Sequence, residues 1–271
     1  MAKVPVEIEK MTNVEIMDLT KICRCFPHTP QPEIIRDSFL DTIETQLKST
    51  STVVIEGPEG IGKTTLLGQF CRRHPLHAIS VFINPITPSS YDPDMIRLDL
   101  LNQVTWILTQ REIDDPEKID IKSQWGIRKW ELQKKARNFK QVYYFIVDGL
   151  TDISETDAKY REMIFDLLPF GESDNFRFII SGEVNKLPQN FVEKNTHKDF
   201  SMSGYTIDEA IQSLEELDVH RDDVKKLYQV SKMPGFFASI RRNLLSNISI
   251  KELINDLPKN MPDVFEFEWR M

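Results

Sequence analysis

Residues 57–65 read Gly-Pro-Glu-Gly-Ile-Gly-Lys-Thr-Thr and satisfy the pattern G-x-x-x-x-G-K-[ST], and no other stretch narrows the possible folds as far. An apolar β-branched run, Val53, Val54 and Ile55, enters the motif, and an amphipathic pattern with Leu66, Leu67 and Phe70 leaves it. Strand, loop and helix in that order are the context such a motif requires. Of the chain's 10 glycines, Gly57, Gly60 and Gly62 fall here. Glycine lets a backbone curl until successive N–H groups, those of Ile61 and Thr65 among them, face phosphate oxygens. The helix N-terminus adds its dipole. On this reading Lys63 reaches the β- and γ-phosphates of a nucleotide and the Thr64 hydroxyl ligates Mg²⁺. The competing reading is a glycine-rich turn with a solvated lysine.

A phosphate-bridging Mg²⁺ also needs a carboxylate from another strand. Asp148 ends the apolar run Val142 to Val147 and is the candidate; the plainer reading is a strand-terminal Asp opening the turn Asp148-Gly149. Asp152 is the nearest acid after Asp148 and a candidate water-orienting base, or simply a loop acid. Ser181 ends the apolar run Phe176 to Ile180, either sensing a γ-phosphate or starting a turn. Pro234, in Ser231-Lys232-Met233-Pro234-Gly235, breaks two helical runs and is placed to close over a base. Arg241 and Arg242 are weaker phosphate candidates. The run Arg128 to Lys140 holds six Lys/Arg against one Glu, with Trp130 and Phe139 interleaved. The expectation there is a solvated helix face with its aromatics in the core, the alternative a patch for nucleic acid or a partner.

Strands and helices alternate up to about residue 203: strands at 51–56, 77–84, 141–147, 176–180 and 198–202, helices over 33–47, 63–73, 94–111, 126–138 and 157–168, and an exposed loop over 112–124. Strands apolar throughout indicate a parallel sheet covered on both faces. Thr206-Ile207-Asp208-Glu209 is a capping-box sequence, and only helical patterns follow it to about Leu257. The expected division is an N-terminal extension over 1–32, a nucleotide-binding core over 33–203, a helical lid over 204–257 and the start of a further unit over 258–271. Three cysteines (Cys23, Cys25, Cys71) cannot all pair, and no apolar run reaches the roughly 20 residues that span a bilayer, so a reducing, cytoplasmic setting without membrane is expected. A net charge of −8 disfavours wrapping nucleic acid over a large area.

Together, EGPEGIGKTTLL (56–67), VYYFIVDGLTD (142–152), FRFIISG (176–182), the capped helix from Thr206 and SKMPGFF (231–237) resemble the STAND class of P-loop ATPases, the NACHT and NB-ARC modules related to AAA+ proteins. The resemblance covers about residues 33–257. It implies an α/β fold: a five-stranded parallel P-loop sheet of the ASCE type, ordered 5-1-4-3-2, with helices on both faces and a small all-helical lid behind it. The stretch around Phe26 to Arg36 resembles the linker that frames the adenine, and Leu257 to Arg270 resembles the opening of a winged-helix unit, as though the chain were a portion of a longer protein. The chain departs from the family in three places. Thr151 and Asp152 stand where two further acids are usual, Glu183 follows Ser181-Gly182 where an arginine is common, and Lys232 replaces the lid motif's glycine.

The function implied is a slow ATPase that binds ATP or ADP with Mg²⁺ and acts as a switch controlling self-association into oligomers. The implied setting is signalling or antiviral defence, with effector and sensor domains outside this chain. The rivals are an ATPase of the origin-recognition or clamp-loader kind acting on DNA through Lys134, Lys135 and Arg137, and a nucleotide-stabilised scaffold with little turnover. A small-molecule kinase is the weakest alternative.

Overall fold

The computed structural model describes residues 19–113, 118–189, 191 and 197–255. The segment read as a further unit, 258–271, and most of the N-terminal extension lie outside the described residues. Five parallel strands, β1 (Thr52–Glu56), β2 (Ala78–Phe82), β3 (Tyr143–Asp148), β4 (Phe176–Ser181) and β5 (His197–Ser201), form one sheet in the order β2-β3-β4-β1-β5. This is the expected 5-1-4-3-2 order read from the other edge.

Alternation along the strands sorts side chains between two cores, as a period of two requires. Val54, Phe145, Val147, Phe178 and Ile180 face one side, where α4 (Pro93–Thr109), α5 (Ile121–Phe139) and α6 (Ala158–Leu167) cover them. Val53, Ile55, Ile146 and Ile179 face the other, under α1 (Leu19–Ile22), α2 (Asp37–Leu47) and α3 (Lys63–Arg73). Beyond the sheet, α7 (Ile207–Leu214), α8 (Arg221–Val230), α9 (Pro234–Leu245) and α10 (Ile250–Asn255) gather around a third core of Leu214, Leu227, Phe236, Phe237 and Ile240. The capping box is present: Thr206 Oγ1 accepts from the Glu209 N–H at 3.2 Å and the Thr206 N–H donates to Glu209 Oε2 at 2.6 Å. Among the described residues no helix is long and apolar enough to cross a membrane.

Three expectations are corrected. The segment from Glu33 does not begin a helix: α2 starts at Asp37, because the buried Gln69 amide of α3 donates to the Ile34 carbonyl at 2.8 Å and accepts from the Arg36 N–H at 3.3 Å. Helix α5 starts at Ile121, inside the expected loop, since the Asp120 carboxylate caps the N–H groups of Lys122 and Ser123. The aromatics of the basic run are not in the core: Trp130 is 59% exposed and Phe139 70%.

Strand β2 is an outer strand, and Gln103 of α4 covers its middle. The Gln103 side chain accepts from the Ser80 N–H at 2.8 Å and donates to the Ser80 carbonyl at 2.7 Å. One turn earlier on the same helix, half-buried Asp99 accepts from the Arg24 N–H at 3.2 Å, and burial pushes its carboxyl up to about 7. An acid whose folded value lies above its unfolded one stabilises the fold fully below the unfolded value, near 4, and that contribution is lost as pH rises through 7. Asp99→Asn is therefore expected to flatten the stability profile between pH 4 and 8. Its gain at pH 8 has a ceiling of about 4 kcal/mol, roughly halved by the solvent that reaches this group. Denaturant midpoints across that pH range check it; parallel profiles for the two proteins would refute it.

Candidate functional site

Register brings the carboxyl ends of β1, β3 and β4 level, with Ile55 beside Ser181 and Val147 beside Ile180. The loops that leave these strands therefore meet at one edge of the sheet, where open α/β folds bind ligands. The loop after β1 curls through left-handed glycines, Gly60 at φ 75° and Gly62 at φ 93°, and delivers Lys63 as the first residue of α3. Lys63 Nζ donates to the carbonyls of Gly57 at 2.6 Å and Pro58 at 3.1 Å. Ile61, only 3% exposed, anchors the loop from beneath.

Thr64 meets Asp148 directly, its Oγ1 donating to Asp148 Oδ2 at 2.6 Å. The other carboxylate oxygen accepts from Ser181 Oγ, which accepts in turn from the Gly149 N–H at 3.2 Å. Burial, the largest influence, pushes the Asp148 carboxyl up; the bonds from Ser181 and Thr64 pull it down, Asp152 raises it and Lys63 lowers it. Ser181 does not line the cavity described next; it orients Asp148.

A cavity of about 1150 Å³ opens over this edge. Gly57 to Thr65 and Asp148 line it, with Asp152, Glu155, Glu183 and Lys186, and with Pro27, Pro30, Ile34, Arg36 and Tyr205. Lys186 was not singled out by sequence; a turn after β4 brings it to the wall, bonded to Glu183 at 2.8 Å. That bond holds Glu183 below the usual carboxylate range and raises Lys186. Asp152 makes no ion pair among the described residues, whereas Glu155 is bonded to Arg161 at 2.7 Å. Arg241 is taken up by Glu216 at 2.7 Å, and neither it nor Arg242 lines the cavity.

Pro234 and Gly235 at the start of α9 complete the wall. The Gly235 N–H donates to the Gly60 carbonyl at 2.8 Å, tying α9 to the loop that follows β1. The approach depends on two glycines face to face, since a Cβ on Gly235 would lie 3.0 Å from the Gly60 Cα. Arg36 holds the join between the sheet and the helices that follow it. Its guanidinium donates to the Ser203 and Gly204 carbonyls at 3.0 Å each and to Glu209 Oε1 at 3.2 Å. Sequence reasoning missed Arg36 and Gln69. The capping box marked Glu209, but nothing local signals a partner so far along the chain.

Arg36→Ala is expected to cost about 1–3 kcal/mol, because it strands two carbonyls and one carboxylate. It should also open residues 203–205 to protease. Thermal unfolding and limited proteolysis check both effects, and an unchanged cleavage rate would show that the join is held elsewhere.

No protein-family model matches the chain, and no curated protein matches it. Among solved structures, a Walker-type ATPase of Pyrococcus abyssi superposes with a TM-score of 0.58 at 13% identity, covering 90% of this chain and 78% of that one. Cdc6p of Pyrobaculum aerophilum gives 0.48 at 13% identity over 84% and 65%, and the ORC2 protein of Aeropyrum pernix gives 0.49 at 11% over 91% and 71%. The first of these, with the sheet order above, shows the α/β fold of P-loop ATPases, a five-stranded parallel sheet with helices.

Proposed function

We propose that the chain binds ATP with Mg²⁺ and hydrolyses it slowly, using the nucleotide to set how the lid sits on the sheet. The observation that carries this reading is the shared wall of the cavity. The loop of Gly57 to Thr64 and the start of α9, bonded to Gly60 through Gly235, line the same cavity. Any occupant is felt by both units at once.

The residues present fit a nucleotide and its metal. The glycine loop leaves room for phosphate, and a threonine hydroxyl beside one buried carboxylate suits a Mg²⁺ that keeps waters and phosphate oxygens as its other ligands. When bound, Mg²⁺ supplies charge neutralisation across the β- and γ-phosphates. The chain's own part is positional. Lys63 turns from the Gly57 and Pro58 carbonyls to phosphate oxygens, and Thr64 and Ser181 hold both oxygens of Asp148. Asp152 orients water, and Pro27, Pro30, Ile34 and Tyr205 wall the base. Slow turnover follows from the thin acid set: Thr151 is buried and Asp152 stands alone beside Asp148. The solved Walker-type ATPase that shares the fold supports ATP as the nucleotide. The resemblance to STAND proteins, with Pro234 at the lid, supports switching and nucleotide-dependent self-association.

Single-turnover hydrolysis and protease sensitivity of residues 203–205, each measured with ATP and with ADP, test the reading. Conversion of bound ATP over minutes to hours is expected, with different cleavage rates in the two states and a change in particle mass between them. Equal cleavage and equal mass in both states would reduce the chain to a nucleotide-stabilised scaffold.

A further inference from the structure

Helix α5 packs inward through Trp125, Leu132 and Ala136, all buried. At 100° per residue the opposite side carries Ile127, Trp130, Glu131, Lys134 and Arg137, with Gly126 at its margin and Lys122 exposed beyond it. The one acid on this side, Glu131, is half-buried and bonded to Arg128 at 2.6 Å. The basic run thus divides by use. Arg128 is paired with Glu131, Lys129 with Glu172 at 2.6 Å, and Lys135 donates to the Ile107 carbonyl at 3.2 Å. Lys122 and Lys134 make no ion pair among the described residues, and Arg137 reaches only the Glu172 carbonyl at 3.3 Å. The Lys135 expected to serve a nucleic-acid patch is therefore occupied inside the fold, and Lys134 and Arg137 remain.

Trp130 stands in the middle of this side, 59% exposed, with Ile127 49% exposed beside it. Lys134 Nζ lies 5.3 Å from the centre of the Trp130 ring, which steadies the indole while its edge and other face stay open. Gly126 adds clearance, since a Cβ there would meet nothing within 4 Å. A flat exposed ring flanked by unpaired cations, in a chain of net charge −8, complements a ligand that offers both negative charge and flat faces. The span from Ile127 to Arg137 is about 15 Å along the helix, enough for a few bases of a single strand.

We propose that the outer side of α5 binds single-stranded nucleic acid, with Trp130 stacking on a base and Lys134 and Arg137 contacting phosphates. A duplex keeps its bases stacked and offers no face to the indole; an acidic peptide supplies charge and has no use for the ring. The proposal does not depend on ATP binding, and its test omits nucleotide. A fluorescein-labelled oligo-dT of a dozen or so bases is titrated with the full chain at low salt, and anisotropy is followed. Binding is expected, with quenching of tryptophan emission. Trp130→Ala should weaken it about 5- to 100-fold with the salt slope unchanged. Lys134→Gln with Arg137→Gln should reduce the slope by about 1.4, at roughly 0.7 per phosphate. Lys225→Gln with Lys226→Gln, on the exposed side of α8, should change nothing. All substitutions lie on the surface, so equal thermal midpoints confirm that each variant folds. Absence of binding at 50 mM salt, or binding that both α5 variants leave intact, overturns the proposal. So does equal competition by duplex DNA or by polyglutamate, the latter pointing to an acidic protein partner.

Discussion

Lys63→Ala is expected to weaken ATP binding at least ~100-fold while leaving the protein as stable as before. The loss follows from what the ammonium does: two charge-assisted bonds to phosphate at about 1.5–3 kcal/mol each, against about 1.4 kcal/mol for each tenfold in affinity. The unchanged stability follows from what it does not do. Its partners are two carbonyls of its own exposed loop, Gly57 and Pro58, and it is the first residue of α3, where alanine is an excellent helix former. Calorimetric titration with ATP·Mg²⁺ and thermal unfolding of the same samples measure both halves. Retention of ATP within threefold of the parent affinity would end the triphosphate reading of the cavity, whatever the loop's sequence suggests.

Asp148→Asn is expected to lower single-turnover hydrolysis about 10²- to 10³-fold and to make the protein more stable at alkaline pH. The two effects share a cause. Asp148 is 6% exposed, and burial, the largest influence on it, raises its carboxyl above the usual range. The native state therefore holds that proton more tightly than the unfolded chain does. The stabilisation is complete below the unfolded value, near 4, and disappears as pH rises through the folded one. Asparagine carries no charge to desolvate and can still accept from Thr64 or Ser181. A higher Tm is expected at pH 8, the gain fading toward pH 4. A variant both slower and less stable at pH 8 would mean that the fold favours the charged carboxylate. That would reverse the account of why this acid is so deeply set.

What could be read from the residues and what could not divides by range along the chain. Gly57 to Thr65 announces itself because the motif, its entering strand and its leaving helix are contiguous; α3 begins and ends where periodicity places it, at Lys63 and Arg73. Strands β1 to β4 were legible as short, mostly apolar runs, whereas β5 has one buried side chain, Phe200; Thr206 with Glu209 marks the helix that follows through contacts only three residues apart. The misreadings arise where a distant side chain overrides local preference. Ile34 to Arg36 fits a helical stripe with Phe39 and Ile43, yet Gln69 on another helix holds it out of the helix. Arg36 looks like a surface residue until the chain returns 167 residues later to place the Ser203 carbonyl against it. Trp130 reads as core because aromatics usually are; Trp125 and Leu132 already fill the inward side of α5, and geometry turns Trp130 outward.

The Gln103 side chain that clasps Ser80 bears on how copies of this protein can meet. An outer strand with its amides free is a template on which a second molecule can extend the same ribbon. With that template occupied at its midpoint by one of the chain's own amides, growth by ribbon extension is blocked along β2. Higher-order particles formed through that flank would have to be cemented by helix side chains, and so could be dissolved by single surface substitutions.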